Sequence, residues 1–268
     1  VLGHELISRC CAESGLPEIR IKGEKGRTIT QLQMFASLIE DGSWREATID
    51  KAIPDRDPVP KPDVRRILIP MGPVVVFAAS NFPLAFSTAG GDTAAALAGG
   101  EPVIVKAHRA HPGTSAMIGL AVVKAAKKTG MPDGVFSLLH GLGSVVGQGL
   151  VKHPMVKAAG FTGSQKAGRI LYDLASQRKE PIPFFAEMGS VNPVMIFPSS
   201  LNSETAGILA GSITMGVGQF CTNPGIIISI ESDEMSEFIS QLGHDLAQVN
   251  PDTMLTEQIS KVYKQEVE

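Results

Sequence analysis

Aromatic side chains are scarce in this 268-residue chain, at 5%, with one Trp and two Tyr. A platform for stacking single-stranded nucleic acid needs more of them. A long basic run is missing as well. The 24 Lys and Arg residues are scattered and the formal net charge is −3, so no polyanion-binding surface is indicated. No nucleic-acid partner is expected. Cysteine is limited to Cys10, Cys11 and Cys221. Cys10 and Cys11 are adjacent and too close to bridge comfortably. An odd, sparse set without metal-ligand spacing points to a reducing compartment, the cytoplasm, and to no metal site. Long hydrophobic runs are absent too. The longest, such as "GIIISI" at 225–230, have strand length, so no membrane association is expected. No signal peptide is visible. The chain opens without Met in a helical pattern and closes in another, and on that ground it is expected to be part of a longer protein.

What is present is ordinary for a soluble globular protein: 43% hydrophobic and 19% charged residues. A helix is predicted over 1–14, ending at Gly15, and a second over 28–40, ending at Asp41-Gly42. The segment 48–66 carries four prolines and many charges. It reads as either a linker or an exposed arm that pairs with another subunit, because proline tolerates only edge positions. From residue 66 onward apolar strands alternate with helices. The strands are predicted at 73–79, 102–106, 135–140, 156–162 and 183–187, the helices at 86–98, 113–129, 144–152 and 165–177. In the last helix Ala167, Ile170, Leu171 and Leu174 recur at helical spacing. Strands that are apolar throughout, separated by helices, imply a parallel sheet covered on both faces. The fold class is therefore α/β: a doubly wound, parallel-sheet dinucleotide-binding domain. A second set follows, with strands at 193–197 and 225–230 and helices near 203–216 and 234–248. It is read as the first part of a second α/β catalytic domain. The division expected is 1–47 with 67–188 for the first domain, 48–66 for the arm, and 189–268 for the second.

Doubly wound sheets bind ligands at the carboxyl ends of their strands. Two strand-to-helix junctions there are glycine-rich, "GLGSVVG" at 141–147 and "FTGSQKAG" at 161–168. Each reads as a tight connection or as a phosphate cradle, in which free helix N–H groups meet an anion. The junction after 102–106 carries Lys106, His108 and Arg109. It is either a solvated basic loop or a site for ribose hydroxyls and a 2′-phosphate.

Five ordered motifs then carry a resemblance: "SNFP" at 80–83, "VIVKAH" at 103–108, "GFTGS" at 160–164, "FAEMGS" at 185–190 and "GQFC" at 218–221, with Cys221 placed 34 residues after Glu187. The chain resembles the aldehyde dehydrogenase superfamily over essentially its whole length. Its longer strings are most similar to the branch of NADP-linked α-ketoglutaric semialdehyde dehydrogenases. The resemblance implies Cys221 as nucleophile and Glu187 as general base, with the Asn81 amide and the Cys221 N–H forming an oxyanion hole. Lys106 would bind the adenosine ribose, Gly163 and Ser164 the pyrophosphate, and Gly143 the adenine side; His108, Arg109 and Met188 complete the implied cofactor contacts. It also implies a small aldehyde as substrate, a homo-oligomer, and a family length about twice this one.

The departures from the family pattern are informative. Ser80 stands where Trp is frequent, and Ser190 where a second Gly is usual. Arg109 replaces a Glu that bonds ribose hydroxyls. Losing that carboxylate and gaining a guanidinium favours NADP, with NAD as the other candidate.

Aldehyde oxidation by hydride transfer needs these residue types. A thiolate attacks the carbonyl to give a thiohemiacetal, neutral N–H donors stabilise the oxyanion, and a carboxylate deprotonates the water that releases the acid. Glu187 is expected to face an apolar, partly enclosed tunnel. Two other readings stand beside this one: a cofactor-independent thiol acyltransferase or hydrolase using Cys221, and a nucleotide-binding fragment without catalytic competence. No His sits beside Cys221 in sequence, which weighs against a papain-like hydrolase.

Overall fold

A computed structural model describes residues 2–267. Helix α1 (His4–Ser14) ends at a left-handed Gly15, as its glycine and the following Pro17 predict. Helix α2 (Glu18–Asp41) begins ten residues before the predicted start. Gly23 and Gly26 weaken the periodicity there, but a Cβ at either would meet nothing within 4 Å. Tertiary burial of Ile21 and Glu24 holds this first stretch in place, overriding its poor intrinsic propensity. Strands β1 (Thr48–Asp50) and β2 (Val64–Arg66) pair antiparallel. They make the 48–66 segment an exposed hairpin with its prolines in and around the tip.

The central sheet contains β3 (Val74–Phe77), β4 (Val103–Lys106), β5 (Phe136–Leu139), β6 (Ala158–Thr162) and β7 (Phe184–Glu187), all parallel, in the order β5-β4-β3-β6-β7. Helices α3 (Gly91–Ala98), α4 (Pro112–Lys128), α5 (Gln148–Lys152) and α6 (Gln165–Ser176) connect the strands. Both faces are covered, as side-chain alternation along β3 demonstrates. Val76 packs with Val103, Val105 and Phe136 against α3 and α4. Val75 and Phe77 point the other way, to Val151 of α5 and Leu171 of α6. The predicted helix 86–98 starts only at Gly91, because residues 80–90 close a compact turn in which the Gly91 N–H donates to the Ala85 carbonyl at 3.0 Å. The predicted helix 144–152 is a π turn over Gly143–Gly147 continued by α5.

The strand order reverses between β3 and β6, so the carboxyl ends of these two strands flank the crevice at which such sheets take ligands. Beyond β7, strands β8 (Pro193–Ile196) and β9 (Ile226–Ser229) pair parallel. Helices α7 (Ser203–Thr214) and α8 (Met235–Ala247) pack on one side of them around Ile196, Leu209 and Phe238. Their other side, with Met195 and Phe197, is exposed. Leu255 and Ile259, at the entry to α9 (Glu257–Val267), return to pack with Leu6, Ile7 and Cys10 of α1.

Candidate active site

Two clefts meet at the switch point. The first, of about 460 Å³, is lined by Lys106, His108 and Arg109 after β4, Gly143 after β5, and Gly163 and Ser164 after β6. The second, of about 390 Å³, is lined by Asn81, Glu187, Met188 and Cys221. Thr162, Gly163 and Ser164 border both, so the clefts adjoin. The three groups expected to do chemistry thus converge, and the expected cofactor contacts, apart from Met188, line the adjoining space. Met188 lines the second cleft and lies beside Gly168, where a Cβ would come within 2.7 Å of its side chain.

Each wall has a local cause. Lys106 is the last residue of β4 and is buried; burial lowers its pKa, and Arg109 nearby adds to this. His108 does not add a third positive charge. Burial first, then His111, Lys106 and Arg109, push its pKa down to about 3, so it is neutral at pH 7. Its Nδ1 accepts the Ala110 N–H at 3.1 Å. Two cations therefore face this cleft rather than three. Ser164 is the N-cap of α6 and accepts from the Ala167 N–H at 3.4 Å. Gly163 is needed sterically, since a Cβ there would lie 2.8 Å from the Phe161 ring. Its N–H donates to the Glu187 carbonyl at 3.0 Å, coupling the glycine turn to the residue expected to act as base. Glu187 itself ends β7, an edge strand, and is exposed, as is Phe185. The expected apolar tunnel is not formed around it, because nothing among the described residues covers the outer side of that edge.

The cysteine turn is built by backbone conformation. Gly216, Val217 and Gly218 all have positive φ, 60°, 60° and 68°. For a β-branched residue such as Val217 this is a strained conformation. The reversal lays Phe220 back over Gly216 and brings Cys221 to the cleft. Asn81 reaches this turn across the fold, its Nδ2 donating to the Gln219 carbonyl at 2.9 Å. An amide nitrogen carries two hydrogens, so one donor remains for an oxyanion. Asn192 donates to the Cys221 carbonyl at 2.6 Å and the Asn223 carbonyl at 2.9 Å, and the Ser190 hydroxyl also bonds the Cys221 carbonyl.

Several of these supports have no signature in the sequence. Gln219 accepts the Leu255 N–H at 3.0 Å. His111 is fully buried, with Nε2 2.8 Å from the Ala79 carbonyl and Nδ1 3.2 Å from Ser115 Oγ. It fixes the segment that follows β3, two residues before Asn81. Each is a contact between segments distant in sequence, although Ser190 and Gln219 themselves lie in the quoted motifs. The Cys10 thiol is of a different kind. Cys10 is buried, and burial pushes its pKa up to about 12, which keeps it an unreactive thiol.

The family model for the aldehyde dehydrogenase family matches residues 3–262. The chain belongs to that family. Among curated aldehyde dehydrogenase relatives, alpha-ketoglutaric semialdehyde dehydrogenase 2 of Azospirillum brasilense is 52% identical over 266 residues, covering 98% of this chain and 51% of that protein. The alpha-ketoglutaric semialdehyde dehydrogenase of Acinetobacter baylyi is 47% identical over 270 residues, covering 100% and 51%. The chain thus spans about half the length of the curated relatives it matches. Among solved structures, the NADP-dependent glyceraldehyde-3-phosphate dehydrogenase of Bacillus halodurans, complexed with NADP, superposes with a TM-score of 0.78 at 20% identity, over 98% of this chain and 54% of that one. This likeness is one of fold. No helix among the described residues is long and apolar enough to cross a membrane.

Proposed function

We propose that the protein carrying this chain is an NADP-dependent aldehyde dehydrogenase that oxidises α-ketoglutaric semialdehyde to 2-oxoglutarate. The observation that carries this reading is the convergence of Cys221, Glu187 and Asn81 on one cleft, adjoining a second cleft lined by Lys106 and Arg109. The two α-ketoglutaric semialdehyde dehydrogenases of similar sequence support the substrate.

The residues present fit a phosphorylated dinucleotide. Gly163 leaves backbone where a Cβ would fill the turn, α6 opens there with N–H groups free for an anion, and Lys106 and Arg109 supply cations. Lys106, Arg109, Gly143, Gly163 and Ser164 would hold it, the exposed Arg109 meeting a 2′-phosphate. When bound, the nicotinamide accepts the hydride that an aldehyde carbon must lose. Cys221 supplies the sulfur that adds to the carbonyl carbon. The remaining Asn81 N–H and the Cys221 N–H stabilise the oxygen anion that forms, each worth about 3 kcal/mol if deleted. Glu187 takes a proton from water as the water attacks the thioester carbon; the carbon–sulfur bond breaks, the acid leaves and the Cys221 thiolate is restored.

We also assign residues 1–47 and 67–188 to the dinucleotide domain, 48–66 to a subunit-pairing arm of a homo-oligomer, and 189–268 to the start of the catalytic domain. All three cysteines are free, which supports a cytoplasmic setting. The test is NADPH formation by the full-length protein with α-ketoglutaric semialdehyde. Formation with this aldehyde and NADP supports the reading. Thioester turnover without nicotinamide, and no NADPH from any aldehyde, would replace it with the thiol acyltransferase.

A further inference from the structure

Helix α2 reaches the chain neighbours of Asn81 and Cys221 through an ion pair whose carboxylate is fully buried and whose guanidinium is mostly so. The Glu24 carboxylate has no solvent exposure. Its Oε1 accepts the N–H groups of Leu84 and Ala85 at 2.8 and 2.9 Å. Its Oε2 is bound by Arg20 Nη1 at 2.6 Å. The Arg20 guanidinium in turn lies 4.6 Å from the centre of the Phe82 ring and 4.8 Å from that of Phe220, and these two rings are 5.0 Å apart. Phe82 directly follows Asn81, and Phe220 directly precedes Cys221. One guanidinium therefore covers the two rings whose chain neighbours are the amide and the sulfur.

Stability alone does not call for this arrangement. Ile21, fully buried one turn away, already anchors the helix. A buried ion pair is commonly replaceable by apolar side chains with no loss of stability. Arg20 Nη2 is moreover buried without a hydrogen-bond partner, a cost that packing would avoid. What an apolar pair lacks is direction: the carboxylate grips two backbone N–H groups, and the planar cation orients two ring faces.

We propose that Arg20 and Glu24 are positioning residues that hold Asn81 and Cys221 in mutual register. This rests on the roles assigned above to those two residues. The dinucleotide cleft takes no lining from α2, so loosening the pair displaces the reacting groups and leaves cofactor binding intact. A displacement of about 1 Å lowers the rate by about 100-fold.

The test uses the full-length protein with Arg20→Met, Arg20→Lys and the double variant Arg20→Met/Glu24→Gln. The double variant leaves no unpaired buried charge and retains an oxygen for Leu84 and Ala85. Two readouts are taken: kcat with the KM for NADP, and iodoacetamide labelling rates of Cys221 and Cys11, resolved by peptide mass. In Arg20→Met and the double variant we expect kcat about 10- to 100-fold lower with the NADP KM within about twofold. Arg20→Lys falls between, because an ammonium keeps the ion pair but cannot span both rings. Labelling of Cys221 rises several-fold while Cys11 is unchanged. Unchanged Cys221 labelling and kcat overturn the proposal. Equal acceleration at Cys11 with loss of NADP affinity overturns it too, since that is the mark of general loosening. A parent protein that oxidises no aldehyde refutes the dehydrogenase reading, and the labelling comparison still decides the pairing.

Discussion

Cys221 differs from Cys10 less in its own chemistry than in what surrounds it: one lies on a cleft shared with Glu187 and Asn81, the other in a packed core. Replacing Glu187 by Gln should therefore leave hydride transfer possible once per site. A single burst of NADPH without turnover is expected in stopped-flow absorbance, whereas Cys221→Ala gives no burst. On the proposed reading, Arg109 sets the cofactor preference by charge. Arg109→Glu should shift the NADP-to-NAD ratio of kcat/KM by about 10- to 100-fold toward NAD, the size of a charged hydrogen bond lost. His108 makes a prediction about pH. Its folded pKa of about 3 lies below the ordinary histidine value of 6.5, so below pH 6.5 the unfolded chain takes up a proton that the folded chain refuses. The stability this histidine contributes is present above pH 6.5 and is lost as pH falls toward 3, by up to about 1.4 kcal/mol per pH unit. His111, also lowered by burial, acts in the same direction. The urea midpoint should fall between pH 7 and pH 5, with a shallower slope in His108→Gln. Cys221, Glu187 and Lys106 were legible because each sits in a local motif. His111 was not, since its partner Ala79 is 32 residues away.

At the level of elements, the turn before Cys221 concentrates the constraint. A Cβ at Gly216 would lie 2.6 Å from the Phe220 ring, on backbone already at φ +60°. Gly216→Ala should lower stability by about 1–3 kcal/mol and reduce activity, read from thermal unfolding and initial rates. Gly149 in α5 is the control: nothing lies within 4 Å of a Cβ there, so Gly149→Ala is expected to be neutral or to stabilise by up to about 1 kcal/mol. The strands were legible as continuous apolar runs, and β3 to β9 all lie within their predicted spans. The start of α2 was not. Its glycines and charges argue against helix, and it is Ile21 and Glu24, buried against distant residues, that hold it.

For the whole molecule, the hairpin of β1 and β2 is exposed, with Ile49, Ile53 and Val64 open to solvent. As a subunit-pairing arm it should respond to Ile49→Asp. The full-length variant is expected to sediment as a smaller species with unchanged circular dichroism, and an unchanged sedimentation coefficient would leave the segment a linker.

The linear chain determined the α/β class on its own, because burying both faces of a parallel strand demands an unbroken apolar run and because the helices between strands announce themselves by period. It also marked Cys221, Glu187 and Asn81, because each stands in one of the ordered motifs that carry the family resemblance. It did not determine how they meet. The strand order that puts β3 beside β6, the Asn81 bond to the Gln219 carbonyl 138 residues away, and the Glu24 grip on the loop after Asn81 are contacts between segments remote in sequence. Such contacts leave no periodic trace, because nothing in the order of residues records which surfaces burial will press together.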